Sequence, residues 1–576
     1  MRRDGLALWI AAAVSCTAFL VGFANDDLLQ RLWLEGAIPG YDLPAHSLYE
    51  FTGKYSSQAL VVREYAPWFT DPEWSIRFFR PLSSWSLALD HWLFGRSAAA
   101  AHAQSLAWLL LLTAAVTALF RRWLPARAAL LGSLVYVLAG GHGMSVGWIA
   151  SRHVLVGGAL GAWGLWAHVA RRDGSFRAGV WLAPLLLIAG LCSSEIALGA
   201  LVLLGLYERF ERRETPRQRV RALLPAALIG SSYVIAYGAF GFGSRGSSAY
   251  VSPFSDPSAF ASAALVRAPE LAAELYGAVP SMIAGTLPPA GERALAALGA
   301  LITLGVASLT WRCRAELGPE LFRRLCWLGL ASLVCLIPMA GGFIGGRMLP
   351  LASIGSAAVI GSTLDALWRQ AKARAGTSRW LTYALSSLLV VPHFGLAPLV
   401  RLAMPLTFLQ MEQAERKLAR EAEIDACPSR STAYLLPGSD PTVALYASVA
   451  LAFFEPTRAA RLRGIVPLSL SPRDLLLRRS TDDTFELLTL GDSRPSPFEA
   501  LYRKAPMRVG DEVRTRGLRA EVLATSEGAP TRVRLRFVGG AAQACLLRWH
   551  AGALRRFSLS PGASLSLPHE PGPMGF

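Results

Sequence analysis

Apolar runs long enough to cross a bilayer recur along the first two thirds of this chain, and arginines gather in the short gaps between them. An α-helix rises ~1.5 Å per residue, so about 20 apolar residues cover a hydrocarbon core about 30 Å thick. Lipid offers the backbone no hydrogen-bond partner, so runs of this kind must pair their own N–H and C=O groups as helices. Composition agrees, with 53% hydrophobic and 17% charged residues and a mean hydropathy of +0.37. A soluble chain of 576 residues would divide into several domains carrying more surface charge. The formal charge of +17 does not signal a nucleic-acid partner, because the arginines lie between spans, where the positive-inside rule puts them. Lysine occurs only at Lys54, Lys372, Lys417 and Lys504, and this reliance on Arg is in keeping with a GC-rich bacterial genome.

The expected spans are 6–23, 98–120, 126–142, 146–169, 179–193, 195–209, 222–242, 294–312, 325–343, 347–367 and 380–404, about eleven in all. Arg2 and Arg3 place the N-terminus in the cytoplasm. Alternation then puts the clusters Arg121-Arg122-Arg127, Arg171-Arg172-Arg177, Arg209–Arg221, Arg312–Arg324 and Arg369–Arg379 on the same side. Met1–Ala24 has the Arg start and small residues of a signal peptide, but its apolar run is long for one and more spans follow, so it reads as a retained helix. The segments 24–97 and 243–293 and everything after 404 then lie outside.

These outer segments carry patterns of their own. In 24–97, Leu28, Leu29, Leu32 and Trp33 recur at helical spacing and predict a short amphipathic helix on the membrane surface. Trp68, Trp74, Phe78, Phe79, Trp85 and Trp92 read as an interfacial aromatic belt. A further helix is expected near Ala261–Tyr276, and a charged one over Glu412–Glu423. Beyond it, Ala433–Leu436, Thr531–Val538 and Ala544–Trp549 are β-type runs punctuated by Gly, Pro and Asp. The chain is therefore read as an α-helical multi-pass membrane protein, with a transmembrane domain over 1–404 and a small mixed, mostly β, periplasmic domain over 405–576. Cys427 and Cys545 both fall in that outer domain, where a disulfide can form.

Once this topology is drawn, polar residues converge on the outer face. Asp26 and Asp27 follow the first span directly, and His142 lies between the third and fourth. Arg152 and His153 lie about two turns into the fourth, Glu195 sits at the turn between the fifth and sixth, and Arg347 opens the tenth span. A charge inside a membrane helix costs about 2.5–3.5 kcal/mol on insertion scales, so such residues face polar cavities and mark function. Carboxylates beside guanidinium groups suit a substrate with a phosphate head group, the Arg fork gripping phosphate and the Asp removing a proton. Each also has a bland reading. The Asp pair suits a helix N-terminus capped by Asn25, Glu195 suits a first helical turn behind Ser194, and Arg347 suits an interfacial residue that snorkels.

Four motifs in order give a family resemblance. Phe79-Arg80-Pro81-Leu82, then Leu89-Asp90-His91-Trp92-Leu93-Phe94-Gly95 and His102, resemble a stretch of the C-type (GT-C) glycosyltransferase superfamily. His142 with Trp148-Ile149-Ala150-Ser151-Arg152, Ser193-Ser194-Glu195, and Arg347-Met348-Leu349-Pro350-Leu351 with Gly355 resemble three more. Together they span about 20–360 and look nearest to the protein O-mannosyltransferase-like, TPR-bearing members. Met144 and Ser194 depart from that pattern, and no TPR array follows. The resemblance implies a multi-pass enzyme that moves a sugar from a polyprenyl-phosphate donor with inversion. On that basis Asp26 or Asp27 is the catalytic base, and Arg347, Arg152 and Arg80 bind the donor phosphate. His142, Glu195 and His102 support them, and a divalent metal ion at the Asp pair is an open cofactor. The acceptor (glycan, lipid or protein) is not defined. Two rival readings are a transporter or flippase for a lipid-linked or anionic substrate, and a non-catalytic scaffold of the cell envelope. The cellular expectation is a bacterial inner membrane.

Overall fold

The computed structural model describes residues 3–436, 441–491, 496–540 and 544–570. Arg2, half of the N-terminal orientation signal, lies outside the described residues. Up to Glu421 the chain is mostly helical, apart from the loop-rich stretches 35–80 and 240–256, and each of the eleven expected spans falls on at least one helix. By length and composition alone, five helices among the described residues can cross a membrane: Ala98–Trp123, Pro216–Ala239, Pro289–Arg312, Pro319–Met339 and Gly376–Glu421. The pair Ala126–Leu138 and Gly141–Gly147, bent by 52°, makes a sixth if it is one broken span. The other expected spans are shorter, interrupted or more polar. The first is a helix, Arg3–Ala13, followed by a 3₁₀ turn, Cys16–Leu20. The fourth is cut by an extended residue, Trp148, and a 3₁₀ turn, Ile149–Ser151, before Arg152–Arg172.

The bundle packs around two enclosed helices, Arg152–Arg172 and Ala352–Ala373, most of whose residues are buried. Small residues let backbones touch there. A Cβ on Gly361 would collide with the backbone at Gly132, so that crossing needs a glycine. Its core includes Leu112, Phe120, Leu155, Leu203, Trp327 and Ile354.

A second core lies outside the bundle and joins segments far apart in sequence. Phe23, Leu28, Leu32, Leu48, Trp68 and Trp74 pack with Leu418, Leu435, Leu451, Leu477, Leu535 and Leu547. This corrects two expectations. Asp26–Leu34 is a helix, but Leu28, Leu32 and Trp33 are buried, its apolar face meeting C-terminal residues rather than the bilayer surface. Trp68 and Trp74 likewise turn inward, donating indole N–H bonds to the Leu468 and Leu501 carbonyls at 2.9 and 3.0 Å. Trp85 and Trp92 do stay exposed, on the helix Pro81–Phe94.

The C-terminal region holds two sheets among its described residues. In the first, Thr432–Leu436 pairs in parallel with Gly464–Pro467 on one side and with Cys545–His550 on the other. Parallel neighbours need a crossover, and the helix Pro441–Phe454 supplies it between the first two strands. The second is antiparallel and six-stranded, running from Ser564–Leu567 through Leu475–Arg479, Thr484–Thr489, Ala529–Phe537 and Leu518–Ser526 to Glu512–Arg514. Cys427 and Cys545 form a disulfide. The two outer segments also meet, through a short ladder of Ser75–Arg77 against Gly243–Arg245.

Candidate functional site at one end of the bundle

The chain leaves its first helical segment through a tight corner at Asn25, whose backbone sits at φ +55°, ψ −122°. A non-glycine residue rarely adopts positive φ, and such strain persists only where the surroundings enforce it. Here the Asn25 N–H donates to both Glu415 carboxylate oxygens, at 3.1 and 3.3 Å. The corner launches Asp26–Leu34, with Asp26 and Asp27 in its first turn, where the helix dipole favours negative charge.

The two aspartates then part company. Asp27 is buried, and its Oδ1 accepts the Ala150 N–H at 2.6 Å while Oδ2 accepts the Ala24 N–H at 3.3 Å. Burial pushes its pKa up to about 7, against the pull of those two N–H groups. Both oxygens are used in tying the corner to the 3₁₀ turn Ile149–Ser151. Asp26 is only half-buried. Its Oδ1 accepts the Tyr446 hydroxyl at 2.6 Å, and among the described residues no hydrogen bond reaches its second oxygen. Burial raises its pKa too, opposed by the Tyr446 bond and then by the positive charge of Arg347. Of the pair, Asp26 keeps a free lone pair.

Arg347 lies in the 3₁₀ turn Gly346–Met348, just before Ala352–Ala373. Its guanidinium stacks over the Trp148 ring at 5.0 Å and, among the described residues, makes no ion pair. Backbone contact fixes the turn, since Gly346 abuts both Gly141 and the Glu274 carboxylate so closely that neither glycine has room for a Cβ. Glu274 is anchored in turn by the Ser281 N–H at 2.8 Å and its hydroxyl at 2.6 Å. Arg80 sits nearby at the start of Pro81–Phe94, its charge felt at Arg347. Its Nε–H bonds Glu195 at 2.9 Å, and its guanidinium covers the Phe78 and Tyr49 rings at 4.4 and 5.2 Å. Glu195 also accepts the Tyr237 hydroxyl at 2.9 Å. The Tyr49 hydroxyl donates to the Ala150 carbonyl at 2.8 Å, beside the Asp27 anchor.

Three residues expected at the site are engaged elsewhere. Arg152 is fully buried and paired with Asp90 at 2.5 Å. Nε, Nη1 and Nη2 also bond Ser105, Ser86, Gln104 and the Ala101 carbonyl, so the guanidinium is engaged within the protein. The deep charge does have the partner that its burial demands, and that partner is a carboxylate of the chain. His102 is buried, its Nδ1 hydrogen-bonded to the Val146 carbonyl at 2.9 Å. His142 is buried against the Tyr136 ring at 4.9 Å.

Tyr446, Glu415 and Glu274 join the site although no sequence pattern marked them. The only cue at Tyr446 is a phenol hydroxyl in a mainly apolar helix, Pro441–Phe454. A metal ion is poorly provided for. Among the described residues no three His, Cys, Asp or Glu side chains are grouped to hold one. Asp27 and Glu415 are committed to backbone N–H groups, and Asp26 alone has an oxygen to offer, so no chemical step below runs through a metal.

No family model matches the chain, and no curated protein matches it. Among solved structures it is similar to the Archaeoglobus fulgidus oligosaccharyltransferase tethered to an acceptor peptide containing the NVT sequon. That likeness has a TM-score of 0.41 and 12% identity, over 81% of this chain and 64% of that one. ArnT from Cupriavidus metallidurans, bound to undecaprenyl phosphate, is similar at a TM-score of 0.40 and 14% identity, over 80% of this chain and 88% of that one. The archaeal oligosaccharyltransferase AglB from Archaeoglobus fulgidus, with an inhibitory peptide and a dolichol-phosphate, gives 0.42 and 12%, over 79% and 65%. This chain thus spans a little under two thirds of the oligosaccharyltransferase chains it matches.

Proposed function

We propose that this protein is a membrane glycosyltransferase of the C-type class, moving a sugar from a polyprenyl-phosphate donor to an acceptor hydroxyl on the outer side of a bacterial inner membrane. The carrying observation is the pairing of Asp26, with one carboxylate oxygen unclaimed, and Arg347, in no ion pair among the described residues, at the same end of the bundle. Asp26 takes the acceptor proton as the acceptor oxygen attacks the anomeric carbon. The bond from that carbon to the phosphate oxygen breaks, its electron pair leaves with the lipid phosphate, and attack from the opposite face inverts the centre. Arg347 supplies forked donors to the departing phosphate, whose charge grows in the transition state. Arg80 adds positive charge and spends only its Nε–H on Glu195. Asp27 holds the corner from which Asp26 acts. The N-terminus is then cytoplasmic, and the region after 404 periplasmic.

The test is a transfer assay with membranes carrying undecaprenyl-phosphate-linked sugars, beside native mass spectrometry of the detergent-purified protein. Asp26→Asn should lower transfer by about 100-fold or more, the scale of a lost general base. Arg347→Ala should strip co-purified polyprenyl phosphate. Full transfer by Asp26→Asn overturns the assignment of the base, and unchanged lipid in Arg347→Ala overturns that of the phosphate ligand.

A further inference from the structure

The free carboxylate oxygen of Asp26 owes its position to a residue 420 positions away in the chain. Tyr446 belongs to Pro441–Phe454, the crossover helix of the C-terminal region, and that helix is fixed against the outer end of the bundle at several points. Phe453 packs edge-on to Phe23 at 5.9 Å. The Arg96 guanidinium covers the Phe453 ring at 4.2 Å and donates to its carbonyl at 2.9 Å. On the far side of the crossover, Glu64 of the outer loop collects the Thr432, Tyr434 and Thr515 hydroxyls and the Gly517 N–H, at 2.7, 2.8, 2.7 and 3.0 Å. A helix held at both flanks presents its tyrosine with little freedom.

From this placement we infer that Tyr446 is a positioning residue for the base: its hydroxyl occupies Asp26 Oδ1, so that Oδ2 alone faces the acceptor. The inference rests on the reading of Asp26 as base. It makes the C-terminal region a working part of the site as well as a candidate acceptor platform. A hydroxyl donating to a carboxylate also favours its ionised form, the form a base needs. The other charged or titratable groups around Asp26 are Arg347 before Ala352–Ala373, Asp27 on its own helix, Glu415 of Ala397–Glu421, and Tyr502, Tyr250 and Tyr49. Of all these, Tyr446 is the one that hydrogen-bonds the Asp26 carboxylate.

The experiment replaces Tyr446 by 3-fluorotyrosine in the full-length protein and follows its ¹⁹F resonance with pH. A titration step that survives in Asp27→Asn and vanishes in Asp26→Asn is expected; a step that persists in Asp26→Asn, or no step at all, overturns the inference. A kinetic arm uses undecaprenyl-phosphate-linked sugars with Tyr446→Phe, which keeps the ring. Its kcat should fall about tenfold, the weight of one hydrogen bond to a charged group, with KM unchanged and the acid limb of the pH profile moved upward. Activity that is undiminished, with an unmoved acid limb, overturns the inference. If Asp26→Asn is itself fully active, the base assignment falls whatever Tyr446 does. If Asp26→Asn is inactive while Tyr446→Phe is unaffected, the inference about Tyr446 alone falls.

Discussion

At the residue scale, adjacent aspartates in one helical turn acquire different chemistry from a few hydrogen bonds. Asp27 is enclosed and doubly bonded to backbone, whereas Asp26 is half open and singly bonded. Asp27 has its pKa raised from 3.8 to about 7 in the folded chain. A group of that kind contributes most below its unfolded pKa, where it is neutral in both states, and its contribution is lost as pH rises through the folded value. Wild-type protein should therefore lose thermal stability relative to Asp27→Asn between about pH 4 and pH 7. Melting curves of the two proteins across that range, compared as a difference, check this; a constant difference counts against the buried, proton-holding role.

At the element scale, the site depends on turns and clamps more than on long helices. The 3₁₀ turn that carries Arg347 is pressed against Gly141 and Glu274. Gly346→Ala forces a Cβ into that contact, so it should displace Arg347 and abolish retention of polyprenyl phosphate in native mass spectra, while the helix content seen by circular dichroism stays the same. The Glu64 clamp is a second such device. Glu64→Gln replaces one acceptor oxygen by a donor facing hydroxyls and an N–H, and should cost about 1–3 kcal/mol. Limited proteolysis should then release the C-terminal region faster than in the wild type.

At the scale of the whole molecule, two cores divide the work. One core lies within the helical bundle, and the second joins the loop after the first helix to the C-terminal region, so that residues 23–74 and 418–567 stabilise one another. The Cys427–Cys545 disulfide closes a separation of 118 residues within this second core. Loss of a cross-link over so long a loop costs about 2–5 kcal/mol. Cys545→Ser should lower the melting temperature of the outer region and leave the bundle unchanged, as read by hydrogen exchange resolved by segment.

Sequence by itself determined the membrane class, the helices under all eleven expected spans and three of the C-terminal strands, because each rests on local periodicity and on the cost of burying backbone in lipid. It also marked Asp26, Asp27, Arg347 and Glu195 as polar residues at apolar borders, and Arg80 through the resemblance of its motif. It could not separate Asp26 from Asp27, since the difference lies in the Ala150 N–H and the Tyr446 hydroxyl, both distant in the chain. Nor could it see that Arg152 is spent on Asp90, because a buried charge announces that it needs a partner but not which one. Trp68 and Trp74 misled for a related reason: an apolar face reads the same whether lipid or protein covers it. Only the tertiary structure decides what covers each face and what pairs each charge, since those contacts join residues tens to hundreds of positions apart and leave no mark on local pattern.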